Sequence, residues 1–247
     1  MTEAEWLNGT QPDDLLEFLR HRASDRQFRL FMCACCRRFL PLLPKEPAHD
    51  LRLCEKYVLH GEKFAEGLIT WQQMEAALNE REWANVSHDG YLAALAARQA
   101  IYREVAGSAF PMLRGRNLIA HPASTASEYS RTVIGRLQAK NTSAKGSTPT
   151  AKKRLATIAE KRYQIQLLHD LFGNPFRSVS LDPAWLTPKV HSLTEGIYSE
   201  RAFDRLPILA DALENGGCDN ADTLSHCRSE GPHVRGCWVV DLILGKQ

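Results

Sequence analysis

The chain has 247 residues, 44% of them apolar and 24% charged, which is a globular composition sufficient for one large domain or two modest ones. A formal net charge of +2 is too small to imply a nucleic-acid or membrane partner from overall charge alone. No stretch approaches the roughly 20 consecutive apolar residues of a membrane helix, and the opening MTEAEW carries acids where a secretory leader carries an apolar run. The expected location is therefore cytoplasmic. Seven cysteines, an odd number with Cys33, Cys35 and Cys36 almost adjacent, then read as reduced thiols rather than a disulfide framework.

The N-terminal third reads as helix after helix. Thr10-Gln11-Pro12-Asp13-Asp14 is a helix start, with proline and acids in the first turn ahead of Leu15, Leu16, Phe18 and Leu19. Ser24-Asp25 caps a second helix. Its Phe28, Phe31, Met32, Cys35, Phe39 and Leu42 form a continuous stripe at helical spacing, which Pro41 and Pro44 end. The width of that stripe marks the helix as central. A third helix is expected over 49–66, stopped near Gly67, and Thr70-Trp71-Gln72-Gln73 matches the capping box of a fourth that runs to about residue 85. Alanine-rich 91–105 is strongly helix-forming, 108–124 reads as a connection, and 127–137 as another helix.

A composition break follows at 138–151 (QAKNTSAKGSTPTA), whose only apolar residue type is alanine, so a flexible basic linker is expected there. Helix resumes over 152–172, with Leu155, Ile158, Ile165, Leu168 and Phe172 placed inward and Gly173 at its end. Thr187-Pro188 opens a helix bearing Val190, Leu193 and Ile197. Asp204 starts another, with Leu206, Leu209, Ala210 and Leu213 on one face, closed by Gly216-Gly217. Asn220 or Asp222 caps a short helix through Arg228. The segment 237–244 suits a strand by length and a buried helix by continuity.

Two blocks of text carry a resemblance. One comprises MTEAEWL, LEFLR and SDRQFRLFMCACCRR. The other comprises LLHDLFGNPFRSV, LDPAWLTPKV, IYSERAFDRLPILADALENGGC and HCRSEGPHVRGCWVVDLILGK. Together they resemble an uncharacterised bacterial family of planctomycete type, over about residues 1–80 and 164–247. The resemblance implies no substrate, cofactor or fold. It favours one packed unit built from both blocks, and the middle, about 87–163, departs from the family pattern.

Cys218, His226, Cys227, His233 and Cys237 place five soft ligands within twenty residues, and four of them could surround a tetrahedral zinc. There is no Cys-x-x-Cys knuckle, however, and Cys227 adjoins His226, so one helix would aim the two about 100° apart. Buried thiols and helix-end histidines account for the same residues. No cofactor is assigned, and zinc stands as the alternative. Cys33 lies four residues after Arg29 and four before Arg37, a spacing that could favour its thiolate. A buried, unreactive thiol is the simpler reading.

Between Tyr129 and Tyr163 nine basic residues face Glu160 alone, a net of +8 that leaves −6 for the rest of a chain totalling +2. Lys140, Lys145, Lys152, Lys153 and Arg154 are the candidates for phosphate contact, against a solvated linker lying on the acidic remainder. No Gly-x-Ser-x-Gly elbow, phosphate loop, His-Glu-x-x-His or dinucleotide fingerprint is present.

The resulting expectation is an all-α array of about eight to ten helices, possibly with a short C-terminal strand. Helical regions 1–137 and 152–247 flank the basic linker 138–151. Functionally, a non-catalytic protein-interaction or regulatory module leads, with an unidentified protein partner and no membrane. A nucleic-acid-associated protein using 131–162 and a metal- or cysteine-dependent enzyme are the alternatives.

Overall fold

The computed structural model describes residues 1–45, 48–76, 86, 88–99, 122–141 and 148–246. Among these residues there are twelve α-helices and no strand, so the fold is all-α. They are α1 (Glu3–Asn8), α2 (Pro12–Leu19), α3 (Asp25–Phe39), α4 (Ala48–Ala65), α5 (Trp71–Ala76), α6 (His88–Gln99), α7 (Pro122–Asn141), α8 (Pro149–Phe172), α9 (Pro188–Glu200), α10 (Leu206–Asn215), α11 (Ala221–Arg228) and α12 (Trp238–Leu244). The chain divides into two compact units, Gly9–Ile165 and Met1–Asn8 with Gln166–Gln247, so the division falls within α8. No helix among the described residues is long and apolar enough to cross a membrane.

In the unit Gly9–Ile165, α3 packs against α4, α6 and α7. Its start is fixed by a complete capping box, in which Ser24 accepts from the Gln27 backbone N–H and the Gln27 side chain accepts from the Ser24 N–H. Phe28, Phe31, Met32, Cys35 and Phe39 are all fully buried, as their spacing predicts. The regular helix stops at Phe39, and Leu42 falls in the 3-10 turn Leu40–Leu42 that Pro41 enforces. Arg26 and Arg37 pair with Glu66 and Glu62 of the α4 region at 3.1 and 2.6 Å. Gly67, at φ +67°, ends α4, with its N–H bonded to Phe64 O and the Leu68 N–H to Lys63 O. Alanine makes α6 a close-packing element: Ala93, Ala94, Ala96 and Ala97 are fully buried, and the helix packs on α4 and α7.

The course of α8 differs from the sequence reading. Leu155 is 66% exposed and Ile158 40%, while Ala156, Glu160 and Gln164 are buried in their place. Arg131 and Gln164 explain the rotation. The Arg131 guanidinium donates to Gln164 Oε1 at 3.1 Å, to Ser127 Oγ at 2.6 Å and to Asp13 Oδ2 at 2.9 Å. A buried arginine costs too much without such acceptors, so in this part of α8 the polar face turns inward and Leu155 and Ile158 turn out, while Ile165 and Leu168 are buried as expected. The span expected as linker is also shorter: α7 continues to Asn141 and α8 begins at Pro149, while 142–147 lie outside the described residues. So do most of the expected connection 108–124 and the ends of the helices expected to reach residues 85 and 105.

In the second unit, α9, α10, α11 and α12 enclose a core of Val190, Ile197, Leu206, Leu209, Leu213, Leu224, Val239, Val240 and Ile243. The short α1 is anchored by Trp6, fully buried, whose indole N–H donates to Gly173 O at 3.1 Å. Glu3 accepts from Asn174 and Arg177 at 2.7 and 2.6 Å. Gly173 (φ +60°) ends α8 where a Cβ would meet the Trp238 ring at 3.2 Å, so glycine is required there both for the turn and for the contact. Residues 237–244 are not a strand: Trp238–Leu244 is helical, ended by Gly245 at φ +63°. With no strand among the described residues to pair with, an extended segment would leave its buried N–H and C=O groups unsatisfied, whereas a helix pairs them internally.

Candidate functional site

Four chemically active side chains converge in the unit that contains residues 166–246. Asp170 comes from the last turn of α8, His226 from the last turn of α11, His233 from the loop that follows, and Cys237 from the residue preceding α12. Their carboxylate oxygen, ring nitrogens and sulfur all lie within 4.8 Å of one another. His233 Nδ1 is 2.7 Å from Asp170 Oδ1, His226 Nε2 is 3.1 Å from the same oxygen, and His226 Nε2 is 3.2 Å from Cys237 Sγ. The second carboxylate oxygen of Asp170 accepts the Val234 backbone N–H at 2.9 Å. The loop is thereby held against the helix end.

The site is enclosed. Asp170 is 2% exposed and Cys237 fully buried, and the His233 side chain is 7% and the His226 side chain 15% exposed. The His226 ring packs edge-on to His233 and tilted against Trp238, with centroids 4.9 and 5.2 Å away. Beyond His226 opens a cleft of about 580 Å³ bordered by Trp6, Asn174, Arg177, Asp222, Ser225 and Trp238.

Hydrogen bonding places a proton on His233 Nε2. Its Nε2 lies 3.2 Å from both the carbonyl oxygen and the hydroxyl of Ser229, and that hydroxyl spends its own proton on His226 O at 2.8 Å. Both neighbours therefore accept, so Nε2 carries a proton, and Nδ1 donates to the carboxylate when the ring is doubly protonated.

Burial works to raise the Asp170 pKa, but hydrogen bonds from His226 and His233 and their charge bring it below the ordinary carboxylate value. Burial works to lower that of His233, and the hydrogen bond and charge of Asp170 outweigh it and raise the value. Burial, joined by the Asp170 charge, lifts the Cys237 thiol well above its ordinary range, against the opposing effect of the Val240 and Val239 backbone N–H groups.

Of the five ligand candidates read from sequence, the structure gathers His226, His233 and Cys237. Cys218 and Cys227 belong to the apolar core instead, where burial raises both thiols, Cys227 to about 12. Neighbouring side chains on α11 diverge, so His226 and Cys227 cannot serve one centre. The residue that spacing missed is Asp170. One local signal pointed to it: an acid in the last turn of a helix opposes the macrodipole and needs a compensating partner. No protein-family model, no curated protein and no solved structure matches this chain.

The cysteines of α3 are packed in the core of their unit. All seven cysteines of the chain are buried, and none is in a disulfide. Cys33 Sγ lies 3.6 Å from Val58 O, Arg37 is engaged bidentately by Glu62, and the Arg29 guanidinium lies 4.7 Å from the centre of the Phe64 ring. The two guanidinium groups that helical spacing aimed at Cys33 have these other partners and still interact electrostatically with Cys33. Burial pushes the Cys35 and Cys36 thiols well above the ordinary value.

The basic segment is split by the fold. Arg131 is buried, and Lys161 donates to Gln11 at 2.7 Å. Lys153 and Arg154 are exposed and Lys152 half-buried in the first turns of α8. The backbone of Lys140 is helical, and Lys145 lies outside the described residues.

Proposed function

We propose that this protein is a non-catalytic interaction module whose α8 face docks a protein segment rich in acidic residues. The observation that supports this reading is the exposure of Leu155 (66%) and Ile158 (40%), three residues apart and therefore on one stripe. Around them Lys153, Arg154 and Arg162 are exposed. Apolar anchors surrounded by cations suit a partner with its own apolar anchors and carboxylates, since charge steers the encounter and apolar burial holds it. Phosphate contact alone gives no use for the leucine and isoleucine. An enzymatic reading has less support, because the Asp170, His233 and Cys237 side chains are buried and His226 alone of the four borders the cleft.

The test is capture from native lysate with and without nuclease, using the wild-type chain, a Leu155→Ser/Ile158→Ser variant and a Lys153→Glu/Arg154→Glu variant. The expected result is a protein that survives nuclease and is lost from both variants. Capture that disappears with nuclease and with the charge variant, but persists with the apolar variant, selects the nucleic-acid reading through Lys140, Lys145, Lys152, Lys153 and Arg154.

A further inference from the structure

The geometry points to a structural zinc site formed by Asp170 Oδ1, His226 Nε2, His233 Nδ1 and Cys237 Sγ. Three observations carry it independently of the docking face.

The first is the donor geometry. Bonds of about 2.0 Å from zinc to nitrogen or oxygen and about 2.3 Å to sulfur place tetrahedral donors roughly 3.3–3.6 Å apart. The pairs here span 2.7, 3.1 and 3.2 Å, with none beyond 4.8 Å. These separations bracket the tetrahedral range.

The second is the conflict of lone pairs. His233 Nε2 holds a proton between two acceptors on Ser229, so a neutral ring turns its Nδ1 lone pair to the carboxylate 2.7 Å away. A proton there would answer His233 alone. His226 Nε2 still faces Asp170 and Cys237 with at most one hydrogen for two partners. A metal resolves every contact at once, and the Ser229 carbonyl then plays the usual supporting role of holding a ligating imidazole by its other nitrogen.

The third is charge. A carboxylate, a thiolate and two neutral imidazoles carry −2, which a divalent cation cancels inside a buried site. The mixed oxygen, nitrogen and sulfur set selects zinc over calcium or magnesium, which take oxygen donors. Four protein donors leave no position for substrate, which makes the metal structural: it ties the end of α8 to the end of α11, the 229–237 loop and the start of α12. The cleft at His226, the most exposed of the four, is the entry path.

The experiment uses the full-length chain, purified natively and assayed for bound metal, then stripped and titrated with cobalt(II) alone. One equivalent of zinc is expected as purified. Cobalt(II) is expected to give the intense visible bands of a tetrahedral site and a near-ultraviolet thiolate charge-transfer band. That charge-transfer band disappears in Cys237→Ser and persists in Cys227→Ser and Cys218→Ser. Wild-type protein that is helical by circular dichroism yet neither retains zinc nor develops the cobalt spectrum overturns the proposal, whatever the variants do. A charge-transfer band that survives Cys237→Ser, or that needs Cys218 or Cys227, overturns the assignment of ligands.

Discussion

Each unit buries a cluster of polar side chains, and the two clusters solve the problem differently. Around Arg131, the donors are permanent. One guanidinium serves Ser127, Gln164 and Asp13, while the Gln164 amide donates to Ser127 O at 3.1 Å and reaches Glu160 at 3.5 Å. Around Asp170, a carboxylate, two imidazoles and a sulfur meet with no permanently charged donor among them. The first cluster pairs its donors with protein acceptors and leaves one acceptor over, Asp13 Oδ1, buried without a hydrogen-bond partner. The second reaches balance only through added protons or a cation. Counting donors against acceptors, more than counting charges, separates a structural network from a ligand site.

The comparison can be broken most decisively at the second cluster. With zinc held near 1,000 times its dissociation constant, binding contributes about 4 kcal/mol to that unit. Stripping it with a chelator is expected to collapse hydrogen-exchange protection at Val234 and Val239 while leaving α3 amides unaffected. Equal loss in both places would dissolve the distinction.

Next in size is Arg131→Met. It removes the donor that buried Ser127 and Gln164 share, and roughly 2–3 kcal/mol of stability should go with it in urea unfolding. Metal content should stay unchanged.

Glu160 sharpens the contrast through pH. Burial, opposed by Arg38, Gln164 and Arg131, raises its carboxyl from 4.5 to about 7. The folded state therefore holds this proton more tightly than the unfolded state. Its stabilising contribution is intact below about pH 4.5 and is lost as pH rises through about 7. Glu160→Gln should flatten the stability profile between those values, by roughly 3 kcal/mol. A variant with the parent's slope would place that titration elsewhere.

The smallest effect belongs to Asp13→Asn. The Asp13 side chain is 47% exposed, so its pair with Arg131 is screened by solvent and the substitution should cost less than about 1 kcal/mol. A larger loss in thermal unfolding would show that Asp13, rather than Ser127 and Gln164, holds the guanidinium.

Much of the fold was legible in the residues. The α3 stripe, the Ser24 and Thr70 capping boxes, the Thr187 and Asn220 caps and the stops at Gly67, Gly173 and Gly216 are local signals, and the structure realises them. They are legible because a helix is decided within a few residues by its own hydrogen bonds and periodicity. The candidate site was half legible. His226, His233 and Cys237 stand close together in sequence, but Asp170 lies 56 residues before His226 and 63 before His233, and no spacing rule reaches that far.

The sequence by itself determined that the chain is helical, several of the helix starts and stops, which faces many of those helices bury, and that soft ligands crowd the last thirty residues. Tertiary structure alone decided that α8 turns Leu155 and Ile158 outward, that Cys218 and Cys227 join the apolar core, and that 237–244 is helical. It also brought Asp170 to the two histidines. The physical reason is common to all of these: each outcome depends on which partner satisfies a buried polar group, and that partner comes from elsewhere in the chain.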